Sequence, residues 1–440
     1  RRGCAQRRGR GMSVALPRVS ADELRVVLAE RAHAAPPAEE TEVVQRIVED
    51  VRRDGDAAVR RWTLELDGVD VRTTRVPGSV LQGRWEETPI PLRMALDAAA
   101  EWLRRFHEHQ RDQAVRGTTS AWLRPEPLHR AGCYVPGGRA AYPSTVLHTV
   151  IPAQVAGVRS IALASPPGAD GSVHPLVAAA AYTLGVTEVH TMGGAQAVAA
   201  FAYGTETIAR VDKVVGPGNV YVTRAKQLVF GPVGIDQIAG PTEIVVIASA
   251  GAHPDLVAHD LISQLEHDPL AWALCLTDDT VLADRIAEAF AAAAGAAARS
   301  GIIAAAAGEH AAITVCRDLG EAAALAEEFA PEHLSLQGDA AERLRDHVGN
   351  AGAIFCGALS PVSIGDYVAG PNHTLPTGGA ARHRGPLSVM DFTRWPSVVQ
   401  LSAADYEELA PIAFALAEAE GLAGHAAAIR ARMPVAEGAS

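Results

Sequence analysis

Between residues 131 and 355 the chain repeats one pattern, a short apolar run, a turn, and an Ala-rich stretch of helical length. Runs at 160–164, 188–191 and 213–215 are followed by helix-forming stretches at 173–184, 196–203 and 220–229. A second series opens at 243–248 and continues through 271–277, 312–316 and 353–355. Parallel strands cannot be joined by a tight hairpin and need a crossover, usually a helix. The alternation therefore predicts βαβ units and mainly parallel sheets. Two series separated near Gly240-Pro241 imply two α/β domains. Aromatic residues make up only 5% of the chain, so the core must be built from closely packed Val, Leu, Ile and Ala.

Helical periodicity frames these series. Val43, Val44, Ile47 and Val51 recur at helix spacing within 38–66, and Leu92, Leu96, Leu103 and Phe106 do so within 91–113. A Pro/Gly-bounded connection containing residues 72–77 lies between them. The tail, 403–432, reads as helical and Ala/Glu-rich, weakened by Gly421 and Gly424. A terminal helix of that kind often packs on a partner subunit.

Charge and cysteine usage exclude several classes. A formal net charge of −12 disfavours nucleic acid and anionic membrane surfaces as partners. The five cysteines, Cys4, Cys133, Cys275, Cys316 and Cys356, form no C-x-x-C pair, which argues against a disulfide framework or a thiolate zinc site. A reducing cytoplasm fits them best. Residues 1–11 are basic and precede Met12, but lack the apolar stretch of about 7–15 residues that a signal peptide needs. They are expected to be an upstream extension. No run approaches the roughly 20 apolar residues that span a bilayer.

Three glycine-rich turns fall at strand ends of the first series: Tyr134-Val-Pro-Gly-Gly138, Gly193-Gly-Ala-Gln196 and Gly216-Pro-Gly-Asn219. Backbone N–H groups ahead of a helix receive phosphates, although none of the three is the G-x-G-x-x-G fingerprint. Singly, each is a tight turn. Together, beside the hydrogen-bonding side chains of Tyr134, Gln196 and Asn219, they point to a nucleotide cleft. Gln264 and His267 stand at i and i+3 near the end of a helical segment that begins at Pro254-Asp255. An imidazole and an oxygen donor can ligate zinc, although such a pair more often caps a helix or lies on the surface. Glu332-His333, after Ala330-Pro331, reads either as an acid–base pair or as a polar strand entry. Gly365-Asp366 and Pro371-Asn-His-Thr-Leu-Pro376 occupy a long Gly/Pro-rich loop, which favours function. His425 would ordinarily pass as an exposed helix histidine.

Taken together these segments resemble the histidinol dehydrogenases over essentially the whole chain from Met12. The resemblance is carried by Gly-Cys-Tyr-Val-Pro-Gly-Gly138, Gly-Gly-Ala-Gln-Ala197, Gly-Pro-Gly-Asn219, Ala-Gly-Pro-Thr-Glu-Ile244, Ser-Gln-Leu-Glu-His267, Pro-Glu-His-Leu334, Gly-Asp-Tyr367, Asn-His-Thr-Leu-Pro-Thr377 and Glu-Gly-Leu-Ala-Gly-His425.

It implies two related, incomplete Rossmann-like domains with parallel sheets, an N-terminal helical arm and a C-terminal helical tail. The expected boundaries are 12–29 for the arm, 30–128 with 243–387 for the zinc and catalytic domain, 129–242 for the NAD side, and 388–440 for a dimer-swapped tail. Gln264, His267, Asp366 and His425 match the ligands of one zinc ion per subunit, His425 coming from the partner in a homodimer with shared active sites. Glu332 and His333 match the catalytic acid–base residues. Thr242, His373 and Glu420 match substrate contacts, joined by His333 and the four metal ligands, and Tyr134, Gln196 and Asn219 match NAD contacts.

The implied reaction is the four-electron oxidation of L-histidinol to L-histidine through histidinal with two NAD, the last step of histidine biosynthesis. In the family, zinc holds the substrate's amino and imidazole nitrogens. His333 would take the hydroxyl proton, and Glu332 would activate the water that hydrates the aldehyde.

Three alternatives stay beside this reading, one of them a metal-dependent binding or scaffold protein that has lost catalysis, against which intact Glu332 and His333 speak. A paralogue could use the same zinc and NAD motifs on another small polar alcohol, such as a sulfonated diol, and Cys133 could act as the nucleophile of an aldehyde dehydrogenase. One departure stands out. His148 follows Ser-Thr-Val-Leu where relatives usually carry an apolar residue; if it lined the cofactor cleft, cofactor affinity would differ.

Overall fold

The computed structural model describes residues 14–33, 38–113, 120–137 and 141–433. The expected extension at 1–11, and Gly138 of the first glycine turn, lie outside the described residues. The chain divides into two compact units. The larger comprises Arg1–Arg111 with Leu128–Phe392, and the smaller comprises Asp112–Pro127 with Thr393–Ser440.

The larger unit holds two five-stranded, wholly parallel sheets. The first contains β1 (Arg130–Tyr134), β2 (Ser160–Ser165), β3 (Glu188–Thr191), β4 (Lys213–Val215) and β5 (Gly234–Ile235), in spatial order β3-β2-β1-β4-β5. The second contains β6 (Glu243–Ala248), β7 (Trp272–Thr277), β8 (Ala311–Val315), β9 (His333–Gln337) and β10 (Ala353–Cys356), in order β8-β7-β6-β9-β10. The orders are the same permutation, so the two parallel α/β sheets expected from the alternation, and the related, incomplete Rossmann-like pair that the resemblance implies, are present.

Each sheet is buried on both faces, as parallel sheets require. On the first, Val135, Val146, Leu147 and Val150 fill one side with Leu96 and Leu103, while Val44, Ile47, Val51, Trp62 and Phe201 fill the other. On the second, Leu261, Ile286 and Phe290 cover one face, and Leu24, Leu28, Leu325 and Phe329 the other. The expected grouping of residues 30–128 with the second sheet is corrected by this packing. Helices Ala38–Asp54, Asp56–Asp67, Gly78–Glu87 and Ile90–Asp112 cover the first sheet because their apolar stripes complete its two faces. Helix Ala21–His33 packs on the second sheet, and Val19 N–H donates to Ile313 C=O just before it.

In the smaller unit, strand Ala121–Leu123 pairs with Ser397–Val399, and Glu126–Pro127 with Thr393–Arg394. Helix Ala403–Ala419 opens on a capping box between Ser402 and Asp405. Helix Ala423–Arg430 follows it. Among the described residues no helix is long and apolar enough to cross a membrane.

Candidate active site

The three glycine turns meet at the carboxyl ends of the first sheet. In a parallel α/β sheet, ligands bind where the strand order reverses, here between β1 and β4. Tyr134 ends β1, and Gly216 follows β4 with φ +115°, where a Cβ would lie 2.1 Å from the Tyr134 carbonyl oxygen. Only glycine permits that approach. The Tyr134 hydroxyl is buried and accepts the Gly194 N–H at 3.2 Å, tying β1 to the start of helix Gly194–Tyr203. Asn219 is exposed and caps helix Val220–Val229, its Oδ1 accepting the Val222 N–H at 3.2 Å. Gln196 is buried with Oε1 unpartnered. Buried polar atoms are normally satisfied, so an orphan at a helix N-terminus in this crevice fits a bound group that completes it.

Behind the Gly216 turn stands a pair that sequence reasoning missed. Lys226 Nζ donates to Asp236 Oδ1 at 2.6 Å, both side chains are almost fully buried, and Asp236 Oδ2 accepts the Gly216 N–H at 2.7 Å. The signal was legible: Val222, Ala225, Lys226 and Val229 share one helical face, so Lys226 had to point inward.

Glu332 and His333 lie at the opposite end of the second sheet, where β6 and β9 begin. The parallel register sets His333 beside Ile244, bringing Glu332 and His333 to Thr242 and Glu243, about ninety positions earlier in the chain. Glu332 Oε2 accepts from Thr242 Oγ1 at 2.6 Å and from the Glu243 N–H at 3.0 Å. Thr242 Oγ1 in turn accepts from Gln264 Nε2. The Glu243 carbonyl accepts from His333 Nδ1 at 3.0 Å. One residue, Glu243, therefore holds both members of the pair through its backbone. Its own buried carboxylate is anchored by Arg31 and by the Gly378 N–H at 2.9 Å.

That geometry fixes protonation. A carbonyl can only accept, so His333 Nδ1 bears the proton and Nε2 carries the lone pair. Nε2 stands 4.0 Å from Asp366 Oδ1. Burial lowers the His333 pKa, although Asp366 opposes the shift. Burial pushes Glu332 up to about 7 and Asp366 up to about 6. A neutral imidazole beside a carboxyl poised near neutrality is what proton transfer at working pH needs.

His333, Phe355, Asp366, Asn372, His373 and Leu375 line a cavity of about 250 Å3. His373 Nδ1 donates to the Asp366 carbonyl at 2.8 Å, and burial pushes its pKa down to about 4. Gln264 is the last residue but one of helix Pro254–Leu265 and is buried. His267 lies exposed in the turn beyond, with its N–H donating to the Gln264 carbonyl at 3.3 Å. Desolvation by the surrounding protein lowers the His267 and His373 pKa values, and His333 adds a smaller push in the same direction to both. The fold thus gathers Thr242, Gln264, His267, Glu332, His333, Asp366 and His373.

Glu420 and His425 lie in the smaller unit. Glu420 caps the end of helix Ala403–Ala419, His425 lies in helix Ala423–Arg430, and both are exposed.

Among the described residues, no three His, Cys, Asp or Glu side chains form a metal cluster by themselves. The expected ligand set supplies only His267 and Asp366 of those types from the larger unit, with an amide from Gln264. Its neutral nitrogen, carboxylate and amide oxygen donors suit zinc chemically.

Cys133 is fully buried and its thiol is pushed up to about 12 by burial, so it is no nucleophile. His148 is buried against His373, not against the glycine turns.

The model of a family described as histidinol dehydrogenase matches residues 30–433. A histidinol dehydrogenase of Parasynechococcus marenigrum is 47% identical over 394 residues, covering 89% of this chain and 90% of that protein. One from Moorella thermoacetica is 47% identical over 396 residues, covering 88% and 93%. The crystal structure of histidinol dehydrogenase from Elizabethkingia anophelis matches with a TM-score of 0.90 at 31% identity, covering 96% of this chain and 98% of that one. These matches define an enzyme of the oxidoreductase class. The chain belongs to the histidinol dehydrogenase family.

Proposed function

We propose that this protein oxidises L-histidinol to L-histidine through the aldehyde, four electrons in all, with two NAD as acceptors and zinc as the resident metal. The observation that carries the reading is the pairing of Glu332 and His333 on one backbone clamp, with His333 at the wall of a cavity that also holds Asp366 and His373. When bound, zinc orients the substrate's nitrogens and NAD takes up the hydrogen and electron pair that leave the carbinol carbon.

The protein's own groups do the rest. His333 Nε2, with its lone pair free and its other nitrogen pinned to the Glu243 carbonyl, takes the hydroxyl proton as the C–H bond breaks. Glu332, in its ionised form accepting from Thr242 and the Glu243 N–H, takes a proton from water as that oxygen adds to the aldehyde carbon. His333 serves again in the second oxidation. Retaining the aldehyde between the steps keeps a reactive carbonyl out of solvent.

Gln264, His267 and Asp366 are assigned as zinc ligands, with His425 supplied by the partner in a homodimer, and Tyr134, Gln196 and Asn219 as the NAD crevice. Thr242, His373 and Glu420 complete the substrate contacts. Exposed apolar surface supports the homodimer. Leu409, Ile412 and Leu416 form a stripe on helix Ala403–Ala419, and Leu359, beside the cavity-lining segment, is 94% exposed. A reducing, cytoplasmic setting belongs to the same reading, since Cys133, Cys275, Cys316 and Cys356 are all free thiols.

Chelation, or His267→Ala, tests the metal assignment. Turnover of histidinol should vanish while NAD binding, followed by calorimetry, survives. Undiminished turnover in metal-free protein would overturn it.

A further inference from the structure

His148 sits mid-way along helix Pro143–Ala156, fully buried among Val146, Leu147, Val150 and Ile151. An apolar side chain would cover that face without the cost of burying an imidazole, and His148 Nε2 has no partner. Its ring also faces His107 and the backbone of Asp366 and Tyr367, and its closest contacts go to His373 and Asn372. The ring stacks on His373, with centroids 3.9 Å apart and planes 8° from parallel. His148 Nδ1 accepts the His373 backbone N–H at 3.1 Å, and the His148 carbonyl accepts from Asn372 Nδ2 at 2.5 Å. Thr145, one helical turn earlier, places Oγ1 3.4 Å from His373 Nε2.

We infer that His148 is a positioning residue for the substrate pocket, holding the His373 ring and backbone in a single setting at the cavity wall. His373 is fixed three ways: its face by the stack, its backbone by His148 Nδ1, and its Nδ1 by donation to the Asp366 carbonyl. With Nδ1 carrying the proton, Nε2 carries the one lone pair, which faces the Thr145 hydroxyl at 3.4 Å; a substrate O–H or N–H would take it in place of Thr145. A helix of the first sheet thereby sets a substrate contact on the loop that follows β10. Leucine at 148 would leave the buried His373 N–H without an acceptor and the ring free to turn. Asparagine would restore an acceptor, and phenylalanine would keep a ring face without one.

The inference rests on the activity proposed above, and its test separates the two. Steady-state kinetics with histidinol and NAD should show His148→Leu raising the KM for histidinol about tenfold, the loss expected for one misplaced hydrogen bond. The kcat should stay within about twofold, and the KM for NAD should not change. His148→Asn should recover most of that loss and His148→Phe should not. Without substrate, 15N chemical shifts of 15N-histidine-labelled protein should show the His373 Nδ1–H tautomer in the wild type and its loss in His148→Leu. Wild-type KM in both His148→Leu and His148→Phe would overturn the inference. So would an unaltered His373 tautomer, or a loss falling equally on kcat and the KM for NAD. A wild type inactive on histidinol would count against the proposed function, while the tautomer measurement would still decide the role of His148.

Discussion

Glu332→Gln separates the chemistry of this site from its energetics. Burial holds the Glu332 carboxyl near 7, against an ordinary value of 4.5. A folded value above the unfolded one favours the protonated native state. Its stabilisation is fully present below pH 4.5 and is lost as pH rises through about 7. Relative to a neutral isostere, ionisable Glu332 then costs about 1 kcal/mol at pH 5 and about 3 kcal/mol at pH 8. Glutamine keeps an oxygen that can accept from Thr242 Oγ1 and the Glu243 N–H, so the exchange preserves the clamp. With an unfolding entropy of about 2.1 cal/mol/K per residue, the variant should melt about 3 °C above wild type at pH 8 and about 1 °C above it at pH 5. The comparison uses chelator-treated protein, because a nearby cation would lower the Glu332 pKa. In metal-loaded enzyme the same substitution should slow the aldehyde-to-acid half by about 10²–10⁴-fold, the worth of a positioned base, and the alcohol-to-aldehyde half much less. Stopped-flow NADH formation from histidinol and from histidinal reads the two halves. Equal loss in both, or a melting difference that does not grow from pH 5 to pH 8, would refute the reasoning.

Sharing of the site between subunits predicts complementation. His267→Ala and His425→Ala homodimers should each be inactive, while co-expressed chains should recover about a quarter of wild-type activity, because half the dimers are mixed and each has one intact site. No recovery would place His425 in its own subunit's site. Lys226→Ala leaves Asp236 buried without its cation and should destabilise the protein by about 3–5 kcal/mol in denaturant unfolding. A loss under about 1 kcal/mol would show that Asp236 is satisfied by the Gly216 and Gln237 N–H groups alone.

Local order was legible wherever it followed from period and turn chemistry. The runs at 188–191, 213–215 and 243–248 are strands β3, β4 and β6, and 220–229 is a helix with those ends. The single helix expected over 38–66 is two helices, broken at Gly55. That residue has φ +54°, and a Cβ there would strike the Glu206 carboxylate that accepts the Asp56 N–H. Apolar spacing runs on through the break, so periodicity could not reveal it. Strands β1 and β5 escaped because Gly132 and a two-residue length leave too little pattern.

At the site, motif residues were legible as types but their partnerships were not. Glu332 meets Thr242 across 90 positions and His148 meets His373 across 225. Such pairings are set by sheet register and by which helix covers which face. The same reason misassigned the helices between residues 38 and 112, whose amphipathic faces declare burial without naming the sheet they cover. Glu243 passed unnoticed because it acts through its backbone, which no residue type announces.

The central claim is two successive oxidations in one site. With zinc-loaded protein, excess NAD and limiting L-histidinol, the account predicts two NADH per histidinol consumed and histidine as the product. One NADH per histidinol with histidinal released, or no turnover of histidinol, would contradict it.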